Sequence, residues 1–173
     1  MDMSKSLEKF AKECNATLKK TPGPKGREQI RRALEKVLND PAFVAEHLGP
    51  DNDEPRKILY EDPDFRFCIV AHVHNGAKDS KPHDHGRSWA IYGQAAGRTT
   101  MTEWKVVRPR TGDKPAVVEP EKVYDLDPGM AVLYEIGHVH SPSRSGPTRL
   151  IRIEGENLDF VRRDAFVAAE MAR

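Results

Sequence analysis

Cysteine is scarce: the 173 residues contain only two, Cys14 and Cys68, with no C-x-x-C and no framework spacing. A disulfide scaffold and a thiolate metal cage are therefore excluded, and a reducing, cytoplasmic setting is expected. Cys68 lies in the apolar run FCIV and reads as a buried, inert thiol. No apolar run is long enough for a bilayer-spanning helix, so no membrane partner is expected. The opening MDMSKSLEKFAKEC is charged throughout and lacks the apolar stretch of a secretory signal. Charge of one sign is missing too. Lys and Arg number 28 against 27 Asp and Glu, a net +1, with the two signs interspersed. That balance gives no electrostatic footprint for nucleic acid. Internal repeats and low-complexity tracts are also absent.

The residues that are present divide into three stretches. Residues 1–55 read as helical and are expected to pack on the β region after them. Leu7, Phe10, Ala11, Cys14 and Leu18 share one helical face, with Ser4 or Ser6 as N-cap. TPGPKG breaks that helix. A second helix carries Ile30, Ala33, Leu34, Val37 and Leu38, and Asp40-Pro41 starts a short third. The polar GPDNDEP at 49–55 is the plainest boundary. Residues 56–157 change period. Short β-type runs at 65–74, 87–95, 98–107, 122–126, 130–136 and 148–155 are separated by turn residues, which predicts a closed or sandwiched β fold. Residues 158–173 read as one more helix, with Leu158, Val161, Ala165 and Ala168 on a face and Asn157 or Asp159 as cap. The length suits one domain overall.

Histidine carries the chemical signal. Six of the seven form three His-x-His pairs: His72/His74, His83/His85 and His138/His140. Residues two apart on a strand project from one face, so each pair can aim two imidazoles at one point. Imidazole suits divalent iron, zinc, copper and nickel. His83-Asp84-His85 comes after a polar loop, with Pro82 before it and Gly86 after, and is the expected ligand pair; Asp84 should point away. His72 and His74 continue an apolar strand and read as a hydrogen-bonded pair lining the barrel. His138 comes after Gly137 and reads as an exposed turn residue.

These residues resemble the cupins. The first cupin motif carries His-x-His, then a Glu and a closing Gly; His83-x-His85 and Gly97 match, and Gly76 is one place from the opening Gly. The second motif is matched in register by Gly129, Gly137 and His140, with Glu135 and Arg144 replacing its Pro and Asn. The resemblance implies a mainly β chain, a double-stranded β-helix or jelly-roll barrel with N-terminal helices and a C-terminal helix. It also implies a metal site of His83, His85 and His140. Trp89 and Ala90 stand where the motif's Glu ligand would be. A three-His set without a carboxylate resembles the thiol dioxygenase branch, of which cysteine dioxygenase is the best-known member.

That branch implies Fe(II), with Zn, Ni or Mn as alternatives, and dioxygenation of a small thiol. Acetylacetone-cleaving enzymes are similar in using three His, so a dicarbonyl substrate is equally compatible. The branch's Cys–Tyr crosslink has no counterpart, since its positions fall on Ala90 and near Asn157. Its Ser-His-Tyr relay is missing as well, which points away from cysteine as substrate. Its carboxylate-binding Arg would fall near Arg56 or Lys57. By strand parity, Trp89 and Ile91 should face inward with His85, and Arg66 with His72 and His74. Arg56, Arg66 and Trp89 are thus candidates for substrate binding, and His72 and His74 for proton transfer or ligand orientation. Glu135 reads as a rim residue. The competing readings are a non-catalytic cupin that binds a metal and a small molecule, and a metal-dependent isomerase or hydrolase. A homodimer covering exposed edge strands is also compatible.

Overall fold

The computed structural model describes residues 3–171. Three helices come first: α1 (Lys5–Lys20), α2 (Pro24–Leu38) and α3 (Pro41–Leu48). The Ser4 hydroxyl accepts from the Leu7 amide at 3.2 Å and caps α1. Pro24 opens α2 at a position where its missing N–H costs nothing. The Asp40 carboxylate caps α3 through the Ala42 amide at 3.0 Å. The expected apolar face of α1 is buried throughout, as are Ile30, Ala33, Leu34 and Leu38 of α2.

Ten strands come after the helices: β1 (Lys57–Glu61), β2 (Cys68–His74), β3 (Lys78–Asp79), β4 (Ala90–Ala96), β5 (Thr99–Arg108), β6 (Ala116–Leu126), β7 (Ala131–Tyr134), β8 (His140–Arg144), β9 (Thr148–Glu154) and β10 (Phe166–Ala168). They form two five-stranded sheets, ordered β1-β2-β9-β4-β7 and β10-β6-β5-β8-β3. From β2 to β10 the chain changes sheet at every step except β5 to β6. All pairings but β10 with β6 are antiparallel. This winding between two sheets is the double-stranded β-helix of the cupin fold.

The sheet containing β2, β9 and β4 is covered on both faces. Ile69, Ala71, Ile91, Ile151 and Ile153 pack under the helices in one cluster. The alternate positions Ala90, Tyr92 and Leu150 join Met101, Leu126 and Tyr134 inside the barrel. Each buried Ile, Leu or Met among these stabilises the fold by about 1.5–3 kcal/mol. Contact with α2 is close at Gly93: a Cβ there would lie 2.6 Å from Leu38 Cδ1 and 2.7 Å from Leu34 Cδ2, so both leucines would have to shift. Arg149 ties the barrel to the end of α3, donating from Nη1 to the carbonyls of Leu48, Gly49 and Asn52.

The C-terminal segment departs from the sequence expectation. Residues 158–171 are not an α-helix, and 172–173 lie outside the described residues. Asn157 does act as a cap, accepting from the Asp159 amide at 3.1 Å, but only for a 3-10 turn at Leu158–Phe160. The chain then runs on to β10, which pairs parallel with Ala116, Val117 and Val118 of β6. The segment's own amides cap the open edge of β6, and this outweighs a weak helical pattern of small apolar residues. Sequence pattern does not reveal β1, β3 and β8 as strands; β8 reads HSPSR, whose polar residues and proline hide it.

Candidate metal centre

The geometry starts from the backbone. His83 and His140 form an isolated antiparallel bridge and exchange both main-chain hydrogen bonds, His83 N to His140 O at 3.0 Å and the reverse at 2.9 Å. Residues 57 positions apart in sequence are thereby held side by side. His85 lies next in a turn set by Asp84 and Gly86. The Asp84 carboxylate accepts from the Gly86 amide at 3.0 Å, and Gly86 has φ +58. A Cβ at Gly86 would sit 2.5 Å from the Arg162 carbonyl oxygen. Asp84 is thus occupied locally, as expected. The turn tilts the His85 ring by 60° to both His83 and His140.

One imidazole nitrogen from each of His83, His85 and His140 lies within 4.8 Å of the other two. His83 Nδ1 donates to the Lys81 carbonyl at 2.8 Å, and His140 Nδ1 to the His138 carbonyl at 2.8 Å. A carbonyl can only accept, so the proton is on Nδ1 and each Nε2 carries the lone pair that can ligate. Burial holds all three rings below the ordinary histidine range, with neighbouring His and Arg groups adding to the effect at His85 and His140. Neutral, pre-oriented imidazoles are what a divalent transition metal requires. The three residues therefore form a cluster that could hold such an ion.

Two tyrosines complete the surroundings. The Tyr92 hydroxyl lies 3.0 Å from His85 Nε2 and 3.3 Å from His140 Nε2. The Tyr134 ring stacks on His140 at 3.8 Å and 5°. Beside the cluster is a cavity of about 410 Å³ lined by His83, Tyr92, His72, His74 and several cationic side chains, including Arg144 and Arg152.

His72 and His74 occupy the inner face of β2 and line this cavity, but take no part in the cluster. His72 Nδ1 bonds the Pro55 carbonyl at 3.0 Å, while its Nε2 has no partner. Burial lowers the His72 pKa well below normal and takes His74 to about 4, with Arg144 and Lys78 contributing at His74. His138 also stays apart, with its Nε2 2.6 Å from Glu103. Glu135 pairs with Arg27 at 3.0 Å, away from the cavity. Burial pushes the Cys68 thiol up to about 11, consistent with an inert group.

The three substrate-binding candidates fall elsewhere. Trp89 packs in the helix-side cluster, with the Arg27 guanidinium 5.8 Å from its ring centre. Strand parity cannot be counted from His85, because the Gly86 turn intervenes before β4; Tyr92, not Trp89 or Ile91, faces the histidines. Arg66 is exposed at a turn with φ +64 and pairs with Glu61. The turn at 62–66 breaks its parity with β2. Arg56 is bound to the fully buried Glu154 at 2.7 Å and is absent from the cavity wall. Sequence reasoning misses the residues that do line it, Arg144 and Arg152. Arg152 has a visible signal, a lone cation in the apolar strand LIRIE.

No protein-family model matches the chain, and no curated protein matches it. Solved structures do resemble it. A cupin superfamily protein from Desulfitobacterium hafniense is 12% identical at a TM-score of 0.42, covering 57% of this chain and 72% of its own. A protein with a double-stranded β-helix domain from Klebsiella pneumoniae is 18% identical at 0.45, covering 64% and 80%. KdgF from Halomonas sp. is 20% identical at 0.42, covering 60% and 80%. Likeness of this degree carries nothing about activity, and the fold assignment rests on the strand order itself. Sheet order and side-chain geometry together give a cupin double-stranded β-helix whose His83, His85 and His140 form a cluster that could hold a metal ion.

Proposed function

We propose that this chain is a metal-dependent enzyme, a non-haem Fe(II) dioxygenase of a small thiol or dicarbonyl substrate, with His83, His85 and His140 as the metal ligands. The observation that carries the reading is the convergence of three neutral imidazoles, with no carboxylate among them, beside a cavity of small-molecule size. His83, His85 and His140 would hold the ferrous ion, which when bound would supply redox chemistry toward dioxygen. The chain's own residues do the rest. The Lys81 and His138 carbonyls orient two ligands. Tyr134 fixes the plane of His140. Tyr92 presents its phenolic hydroxyl 3.0 Å from His85 Nε2, where it can donate to a molecule bound beside that ring.

The test is oxygen uptake by the full chain loaded with iron under anaerobic conditions, against small thiols and β-dicarbonyls. Uptake matched by substrate loss, and lost in His83→Ala, is the expected result. Stoichiometric iron with no uptake across the panel would overturn it. Tyr92 supports a second reading, redox-neutral proton transfer in an isomerase or lyase. Turnover with zinc or manganese in the absence of oxygen would favour that alternative.

A further inference from the structure

The cavity beside His83 is charged in one sense only. Lys78, Arg144, Arg152 and Arg163 line it, and no Asp or Glu does among the described residues. This contrasts with the chain as a whole, where the signs balance. Arg152 binds Glu154 through Nε at 2.9 Å, but Arg56 shares the same carboxylate, so two guanidiniums divide one negative charge. Arg152 also lies over the Tyr92 ring at 5.6 Å, which places it beside the histidine cluster. Arg144 is the more telling group. It is 6% exposed, has no ion pair among the described residues, and its Nε has no hydrogen-bond partner. Burying a guanidinium without a counter-charge is costly, and native folds rarely retain one without use. Its planar fork suits an oxyanion.

We infer that this cavity is an anion subsite, in which Arg144 and Arg152, with the exposed Lys78 and Arg163, hold a small organic dianion that extends toward His83. The inference rests on reading the cavity as the working site and adds to its thiol or dicarbonyl substrate two negative charges, carried either by two carboxylates or by one phosphate monoester. A zwitterionic amino acid would leave most of these cations unmatched. At about 410 Å³ the space admits a metabolite-sized molecule and no polymer.

Titration calorimetry of the full chain tests this, on both zinc-loaded and chelator-treated protein. The probes are malonate and methyl phosphate, at a pH of about 8 where both are dianions, with uncharged malonamide as control. Expected is dianion binding at least about 10-fold tighter than malonamide in both metal states, and weakened at least about 10-fold by Arg144→Gln. Arg66→Gln, remote from the cavity, should leave it unchanged. The tighter of the two probes separates the carboxylate from the phosphate source. If Arg144→Gln fails to fold, the wild-type response to salt serves instead: dianion binding should weaken as salt rises while malonamide binding does not. Malonamide binding as well as the dianions, or Arg144→Gln binding as well as wild type, would overturn the subsite. The chelator-treated protein separates the two claims. Selective dianion binding in a chain that takes up no metal would sink the metal centre alone, and a metal-loaded chain without dianion selectivity would sink the subsite alone.

Discussion

His72/His74 and His83/His85 have the same spacing and the same ring chemistry, and His72, His74 and His83 line the same cavity, yet the two pairs end in different arrangements. β2 is paired with β9 along its whole length, His72 opposite Leu150 and His74 opposite Thr148, so its histidines stay in strict register. Their rings run nearly parallel, 5.9 Å apart and 14° from coplanar directions, with neither turned toward a third imidazole. His83 is held by a single bridge, and His85 lies beyond it in a glycine turn. Those two rings tilt and close on His140, at 4.7 Å from it in each case. A His-x-His pair in a regular strand makes a wall; the same pair at a strand's loose end can make a chelate.

The sharpest way to break this contrast is metal affinity. His140→Ala should weaken zinc or iron binding more than about 1,000-fold, since groups that merely support a ligand are worth about 10–100-fold. His72→Ala should leave affinity within a few-fold, as read by competition with a chromophoric chelator. Equal losses in the two variants would erase the distinction between the pairs.

A second contrast runs across the sheet at β4: Trp89, just before the strand, packs on the helix side, and Tyr92 within it faces the barrel interior. Trp89→Ala should cost about 3 kcal/mol of stability through the void left under the helices, with metal content unchanged. Tyr92→Phe should fold and bind metal nearly normally while losing turnover by about 100-fold. Urea midpoints together with metal analysis check the pair. Loss of metal in Trp89→Ala at full folding would mean the strand faces are assigned the wrong way round.

The smallest expected effect is on acid stability. In the folded chain His74 has a pKa of about 4 instead of 6.5, and His72 lies well below normal. Both stay neutral while the unfolded chain takes up protons, and without metal His83, His85 and His140 add to the same effect. Stability should therefore hold above about pH 6.5 and fall as the pH drops toward about 4. Urea midpoints of metal-free protein across that window measure it, and His74→Gln should flatten the slope. An unaltered slope would place the titrating groups elsewhere.

Periodicity makes much of this legible. The helical stripe of Leu7, Phe10, Ala11, Cys14 and Leu18 and the caps at Ser4 and Asp40 are local features, and local chemistry is written in adjacent residues. β8 and β10 are hidden for the opposite reason: each exists because a distant edge offers it partners. The substrate-side expectations fail at turns. A single positive φ at Gly86 and another at Arg66 reset the alternation by which Trp89 and Arg66 would face inward.

The order of residues by itself determined the helical layer, the β character of the remainder and a surplus of paired imidazoles. Only the tertiary structure decided which imidazoles share a centre, that Tyr92 stands beside them, and that Arg144 lies buried without a counter-charge among the described residues. The reason is one of range. Caps and periodic faces arise from contacts a few residues apart, whereas a ligand set and a cavity's charge are sums over segments that meet only when two sheets close on each other.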